Sequence, residues 1–196
     1  MPTYAAGLAR SILIVYAHPY PDRSRAGRAL LTGVRDMEGV SVRSLYDLYP
    51  DFSIDVEVER QSLSAADVLV WQCPFYWYGM PSLMHLWIEK VLGNGWAYGQ
   101  GGTAVRGKTA LWVTTTGAPA EGYRRGAMHG HPFEAFVPAI SQTAEFCGMK
   151  WGAPPLVVHG AHRISNDELD AAVDRYRRLL ERLSVTDSPR EAAPDA

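Results

Sequence analysis

The sequence predicts an α/β protein in which an open parallel β-sheet lies between two layers of helices. Short apolar runs alternate along the chain with stretches of helical periodicity, five of each. Most of these apolar runs are continuous and end in a polar turn, which is typical of parallel strands buried on both faces. Doubly wound sheets of this length often have the strand order 2-1-3-4-5. We therefore expect a ligand outside the carboxyl ends of the strands, between strands one and three.

The five strands follow from the apolar runs, taken in chain order. The first, third, fourth and fifth runs are continuous, and the second alternates apolar with polar residues. The predicted strands cover residues 11–19, 40–48, 67–74, 107–117 and 153–160.

The five helices are predicted from apolar spacing and from end signals. Ser24 can cap the first helix, and Pro81 suits the first position of the third. Pro138 predicts a kink or a late start in the fourth helix. Ser165 and Glu168 have the spacing of a capping box at the start of the fifth. The predicted helices cover residues 24–37, 54–67, 81–92, 132–149 and 165–183.

Composition indicates one globular domain rather than a disordered chain. Of 196 residues, 47% are apolar and 20% are charged, and the net charge of −2 creates no general attraction for nucleic acid. Cys73 and Cys147 are expected to be buried thiols in a reducing compartment. No transmembrane or signal segment is recognised, so a cytoplasmic protein is expected. We predict an extension over residues 1–10, a domain over 11–184 and a flexible tail over 185–196.

The loop after strand one is a candidate phosphate site. It has neither the GxGxxG nor the Walker A spacing, but a helix begins at Ser24, and a helix N-terminus offers free N–H groups. His18, Arg23 and Arg25 can add donors. The alternative is that Ser24 only caps the helix and the arginines are solvated.

Aromatic residues dominate the loop after strand three. Four consecutive rings, Phe75 to Tyr78, suit a flat aromatic ligand whose polar edge is bound by backbone groups. For an isolated aromatic run, the commoner explanation is a plug in the core or at a dimer interface.

Small residues and a tyrosine–histidine pair follow strand four. Thr115, Thr116 and Gly117 let a ligand approach the backbone closely. Tyr123 and His129 can share a proton near a developing negative charge. The alternative for His129 is a surface residue, and no spacing supports a metal site. A phosphate site, an aromatic clamp and a backbone cradle on one edge of the sheet together describe a flavin site.

Longer stretches resemble a known family. The segment FYWYGMPSLMHLWIEKVLGNGWAYG, residues 75–99, resembles the flavodoxin-like NAD(P)H:quinone oxidoreductases of the DT-diaphorase type. The segments ILIVYAHPYPDRS, VRSLYDLYPDFSID and WAYGQGGTAVRGK resemble, more closely, the glutathione-regulated potassium-efflux ancillary flavoproteins within that family. The resemblance covers roughly residues 12–183 and implies a flavodoxin-like three-layer fold.

The resemblance also implies a role for each loop. Phosphate and ribityl contacts would come from His18, Ser24, Arg25, Ala26 and Gly27. The isoalloxazine ring would lie against Phe75, Tyr76, Trp77 and Tyr78, and its polar edge against Thr115, Thr116, Gly117 and Ala118. Tyr123 would stabilise the charge that reaches the ring, with His129 behind it. Ala118 and Gly27 depart from the family's usual glycine and asparagine, which bears on flavin affinity.

The implied function is the two-electron reduction of quinones or related electrophiles by NAD(P)H through bound FMN, with FAD as the alternative. A second reading is a regulatory subunit of a membrane potassium/proton antiporter, bound to the membrane only through that protein. A one-electron flavodoxin is disfavoured because such carriers are usually strongly acidic. The family also implies a homodimer, for which Trp87, Trp96 and Tyr98 are candidate anchors, although Trp87 could equally pack in the core.

Overall fold

A single parallel sheet organises the chain in a computed structural model, which describes residues 9–185. Its strands are β1 (Ile12–Tyr16), β2 (Val40–Ser44), β3 (Val68–Pro74), β4 (Thr109–Thr115), β5 (Lys150–Trp151) and β6 (Leu156–Val158). The order is β2-β1-β3-β4-β5, and β6 also pairs with β4. The predicted order 2-1-3-4-5 is confirmed, and the fifth position is shared by two short strands.

The split of the fifth strand has a local cause. β5 pairs with Thr109 and Ala110, whereas β6 pairs with β4 from Val113 onward. Two residues of β4 therefore face the four residues 152–155, which end in two prolines. Proline has no N–H to donate to a neighbouring strand, so the pairing is interrupted there. Of the strand predicted over residues 153–160, only β6 is formed for this reason, and β5 lies before the predicted range.

The described residues contain six α-helices: α1 (Arg25–Val34), α2 (Leu45–Leu48), α3 (Val56–Ala65), α4 (Ser82–Val91), α5 (Pro138–Phe146) and α6 (Asn166–Ser184). The single turn of α2 lies inside the region predicted as strand two. Pro81 is the N-cap of α4 rather than its first residue. The late start predicted at Pro138 is confirmed, since α5 begins there after a 3₁₀ turn, and so is the capping box of Ser165 and Glu168.

The helices form two layers around the sheet. On one face, α1 and α6 pack against alternate residues of the strands, such as Ile12 and Ile14 of β1. On the other face, α3, α4 and α5 pack against Leu13 and Val15. This alternation explains why β1 is apolar throughout, because both of its faces are covered. The predicted three-layer α/β/α architecture is confirmed.

A buried carboxylate ties three elements on the second face. Glu59 of α3 is completely buried, and its Oε1 accepts hydrogen bonds from Arg43 at 2.6 Å and from the Tyr49 hydroxyl at 2.7 Å. Its Oε2 accepts from Trp87 Nε1 at 2.8 Å. Trp87 is therefore a core residue that anchors α4. It is not available as an interface anchor, and Trp96 and Tyr98 remain as candidates.

Other expectations concern the ends and the two thiols. The predicted extension and tail, apart from residues 9, 10 and 185, lie outside the described residues, so the domain boundaries stay a prediction. Cys73 and Cys147 are buried and free. None of the helices within residues 9–185 is long and apolar enough to cross a membrane.

Candidate functional site

A cleft of about 180 Å³ opens at the carboxyl ends of the strands. Because the sheet is parallel, the loops after β1, β3, β4 and β6 all reach this edge, and each contributes to the walls. The cleft brings together most of the residues predicted from the sequence: His18, Ser24, Arg25, Ala26, Gly27, Phe75, Tyr76, Thr115, Thr116 and Gly117. Five predicted residues do not line it: Trp77, Tyr78, Ala118, Tyr123 and His129.

The N-terminus of α1 forms one end of the cleft. Ser24 occupies the N-cap position, but its side chain makes no capping hydrogen bond, so the predicted cap is wrong in that respect. The first N–H groups of the helix are thus left without a side-chain acceptor, which favours an anion at this end. The Arg25 guanidinium turns away and donates to Ile164 O at 2.6 Å and Asn166 Oδ1 at 2.5 Å. Arg25 therefore fixes α1 to the start of α6, although it lines the cleft together with Arg23.

His18 is held as a neutral hydrogen-bond donor beside this helix end. It is 8% exposed, and burial lowers the pKa of its imidazole from 6.5. Its Nδ1 accepts from the Tyr20 N–H at 3.1 Å, so the proton of the neutral ring resides on Nε2. Such a ring can donate to a phosphate or to a hydroxyl without carrying charge itself.

The aromatic loop forms a tight hairpin rather than a flat clamp. Tyr76 and Gly79 exchange backbone hydrogen bonds of 3.1 and 3.0 Å around Trp77 and Tyr78. Both central residues have positive φ, 50° and 63°, as a type I′ turn requires. This turn leaves Trp77 94% exposed, so Trp77 points to solvent and not into the cleft. The contact of Trp77 and Tyr78 with a ring-shaped ligand stays a prediction.

Phe75 supports the floor of the cleft from below. Its ring centroid lies 4.9 Å from that of Phe133 and 5.9 Å from that of Trp112. Its N–H donates to Thr115 O at 2.8 Å, which fixes the hairpin to the end of β4. Phe75 therefore packs partly against the core and also lines the cleft, and its contact with a flat ligand stays a prediction.

The loop after β4 is bound to the loop after β6. Thr116 Oγ1 donates to Ala118 O at 2.7 Å and lies 3.0 Å from His159 Nδ1. Because the single Thr116 proton is already used, Nδ1 of His159 must be the donor in the second bond. Gly117 faces His162 across the cleft, and a Cβ at position 117 would lie 3.2 Å from His162 Nε2. A glycine here keeps the backbone accessible to a ligand.

Tyr123 and His129 are in direct contact, but through their ring faces. Their centroids are 4.2 Å apart with an interplanar angle of 12°. Within the described residues, neither His129 nitrogen has a hydrogen-bond partner although both atoms are buried. Burial raises the pKa of Tyr123 above 10.0, so its phenol keeps its proton at neutral pH. The predicted proton-sharing role is untested, and buried nitrogens without partners are expected where a ligand completes a site.

Sequence reasoning missed the wall that follows β6. Ala161 and His162 line the cleft, and His159 holds Thr116 from behind. The rule that ligands bind at the carboxyl ends of parallel strands pointed to the loops after strands one, three and four. It applies equally to β6, because the carboxyl end of β6 reaches the same edge of the sheet. The histidines of the HGAH segment, residues 159–162, were the available signal.

Comparisons with known proteins agree with this architecture. A family model described as flavodoxin-like fold matches residues 10–180. The chain is 35% identical to a thermophilic tryptophan halogenase from Streptomycin violaceusniger, with TM-score 0.82 over 86% of this chain and 97% of that one. It is 32% identical to general stress protein 14 of Treponema denticola, solved with FMN, with TM-score 0.81 over 88% and 99%. An NADPH-quinone reductase from P. pentosaceus is 22% identical, with TM-score 0.79 over 91% and 99%, and shows the shared fold alone.

Proposed function

Because the chain belongs to the flavodoxin-like fold family, we propose that it is an NAD(P)H-dependent flavoprotein. It would reduce quinones or related electrophiles by two-electron transfer, with FMN as the bound flavin. One observation carries the proposal: a single cleft at the switch point of the sheet joins an uncapped helix N-terminus to an aromatic wall and a backbone cradle. FMN is favoured over FAD by the similar protein solved with FMN.

The residues present fit a flavin phosphate at one end of the cleft. The free N–H groups at residues 25–27 supply donors and the positive end of the helix dipole. His18 adds a neutral donor, and Arg23 adds a cation on the same wall. No acidic residue is among the described residues that line the cleft, so nothing there repels a dianionic monoester.

The other end fits the polar edge of a flavin ring. Gly117 leaves the backbone open, and the ring of Tyr123 lies 6.0 Å from that of Phe75, which lines the cleft. When bound, the flavin would accept a hydride from a nicotinamide and pass two electrons to the acceptor. The protonated Tyr123 phenol would donate toward negative charge that develops nearby, and His129 would support the phenol from its other side.

The acceptor is expected on the exposed aromatic rim. The loops after β1, β3 and β4 carry five exposed large side chains: Tyr20, Tyr76, Trp77, Tyr78 and Met128. Exposed rings in such number suit a flat acceptor, a nicotinamide, or a second copy of the chain. A homodimer is part of the proposal. The antiporter-regulating role stays a prediction, since no feature of the described residues favours it.

An absorbance experiment tests the proposal. The protein is loaded with FMN, freed of excess, and then treated anaerobically with NADPH and afterwards with menadione. The proposal expects a yellow protein that bleaches with NADPH and regains its colour with menadione. Retention of FMN without bleaching by NADPH or NADH would contradict the reductase and leave a flavin-binding protein. Failure to retain FMN would contradict the flavin site itself.

A further inference from the structure

Ser24 stands at a helix start without capping it. Its side chain is 4% exposed and lines the cleft, and its backbone oxygen accepts the Arg28 N–H at 3.0 Å. A serine at this position normally accepts a hydrogen bond from a backbone N–H two or three residues on. Here the Ser24 hydroxyl is engaged elsewhere, which is the observation to be explained.

The partner of Ser24 is a buried tyrosine at the end of β1. Tyr16 is 3% exposed, and its hydroxyl lies 3.3 Å from Ser24 Oγ. The phenol is the more acidic of the two hydroxyl groups, so Tyr16 donates and Ser24 accepts. Burial raises the pKa of Tyr16 above 10.0, which keeps that donor proton in place. The Ser24 proton then has no described acceptor within the protein.

Gly27 provides the space for this arrangement. A Cβ at position 27 would lie 2.5 Å from Ser24 Oγ and 3.5 Å from the Tyr16 hydroxyl. Any side chain there would push the Ser24 hydroxyl away from Tyr16. The glycine at position 27 is thus required by the Tyr16–Ser24 pair and not merely tolerated.

We propose that Tyr16 is a positioning residue that turns Ser24 from a helix cap into a donor for the flavin phosphate. This inference rests on the proposed function. By holding Ser24 Oγ as an acceptor, Tyr16 keeps it off the helix N–H groups, which stay free for the anion. Because Ser24 Oγ accepts from Tyr16, the Ser24 O–H stays available to donate to a phosphate oxygen of the bound flavin. The 3.3 Å separation is longer than the 2.5–3.0 Å usual for hydroxyl pairs, and an anion that accepts from Ser24 would strengthen it cooperatively.

The test compares FMN with riboflavin, which lacks the phosphate. Flavin binding is measured by fluorescence quenching for the parent and for Tyr16→Phe, alongside urea unfolding of the flavin-free proteins. We expect Tyr16→Phe to raise the Kd for FMN about three- to tenfold and to leave the Kd for riboflavin within about twofold. The stability of the flavin-free protein should stay the same or rise, because Ser24 is released to cap α1.

Two further variants separate positioning from general loosening of the fold. In a Ser24→Ala background, Tyr16→Phe should have no additional effect on FMN binding. Tyr49→Phe removes another buried tyrosine hydroxyl, bonded to Glu59 outside the cleft, and should leave the ratio of the FMN and riboflavin Kd values unchanged.

The outcomes are distinguishable. Equal losses of FMN and riboflavin affinity in Tyr16→Phe would overturn the inference, as would an unchanged FMN Kd. Neither result would contradict the proposed flavin site itself. If the parent protein binds neither flavin, the proposed function fails first and the inference fails with it.

Discussion

The hairpin of Trp77 and Tyr78 carries backbone strain that a substitution can remove. Two consecutive residues with large side chains have positive φ, where L-residues are disfavoured. A type I′ turn prefers Asn followed by Gly at these two positions. The double variant Trp77→Asn, Tyr78→Gly therefore keeps the turn and relieves the strain.

The expected gain follows from two opposing terms. A left-handed conformation costs about 1–2 kcal/mol per non-glycine residue, and Asn bears it more easily. Glycine at position 78 reduces this gain by roughly 0.5–1 kcal/mol, because it increases the entropy of the unfolded chain. The variant also loses the contact between Tyr78 and Phe136, whose centroids are 5.3 Å apart. A matched control, Trp77→Ala with Tyr78→Ala, loses the same rings but keeps strained residues.

Urea unfolding of the flavin-free proteins measures the difference between these two double variants. We expect the Asn–Gly protein to be more stable than the Ala–Ala protein by about 1–2 kcal/mol. Both variants should bind FMN equally, because both lack the rings. Equal stabilities, or a more stable Ala–Ala protein, would refute the idea that the turn is strained. Strain of this kind is retained at sites where the side chains serve a ligand.

Three other predictions concern the core, the pH dependence and the chemistry. Glu59→Ala should lower the free energy of unfolding by about 3–5 kcal/mol, because it leaves the Arg43 guanidinium, whose side chain is only 22% exposed, without its carboxylate. Glu57→Ala, at a side chain 88% exposed, should change it by less than about 0.5 kcal/mol, and equal effects of the two variants in urea unfolding would contradict this prediction. Burial lowers the pKa of His18 and His159 from 6.5, so the unfolded chain binds protons at higher pH than the folded protein. The free energy of unfolding should therefore keep its full value above pH 6.5 and fall as the pH drops below it. In the double variant His18→Asn, His159→Asn, the difference between the free energies of unfolding at about pH 7.5 and about pH 5.5 should be smaller than in the parent. Tyr123→Phe should slow reduction of the FMN-loaded protein by NADPH about tenfold or more with FMN retained, and a parental rate in single-turnover kinetics would remove the role given to the phenol.

The fold could be predicted from the sequence because burial on both sheet faces leaves a clear periodic signal. Continuous apolar runs became strands, and the order 2-1-3-4-5 followed from their alternation with helices. The resemblance to a flavodoxin-like family is confirmed by the match over residues 10–180, and the closer likeness to the potassium-efflux ancillary flavoproteins stays a prediction. The break in the fifth strand was missed, because its prolines adjoin an apolar run that reads as one strand.

The loops of the site were predictable, but their side-chain partners were not. Parallel strands bring their carboxyl ends to one edge, so His18, Phe75 and Thr115 met as expected. The turn of Arg25 toward Ile164 depends on a contact 139 residues away, and local spacing contains no sign of it. Ser24 has the sequence of an ordinary cap, and only the buried hydroxyl of Tyr16 shows why it is not one.

The most direct test of the account is the response of backbone amides to flavin. Amide chemical shifts of ¹⁵N-labelled protein are followed while FMN, and separately riboflavin, is added. If the N-terminus of α1 binds the phosphate, FMN will shift the amides of Arg25, Ala26 and Gly27, and riboflavin will leave them largely in place while both ligands shift Gly117. FMN binding that leaves these three amides unmoved would contradict the phosphate site at α1 and the proposal built on it.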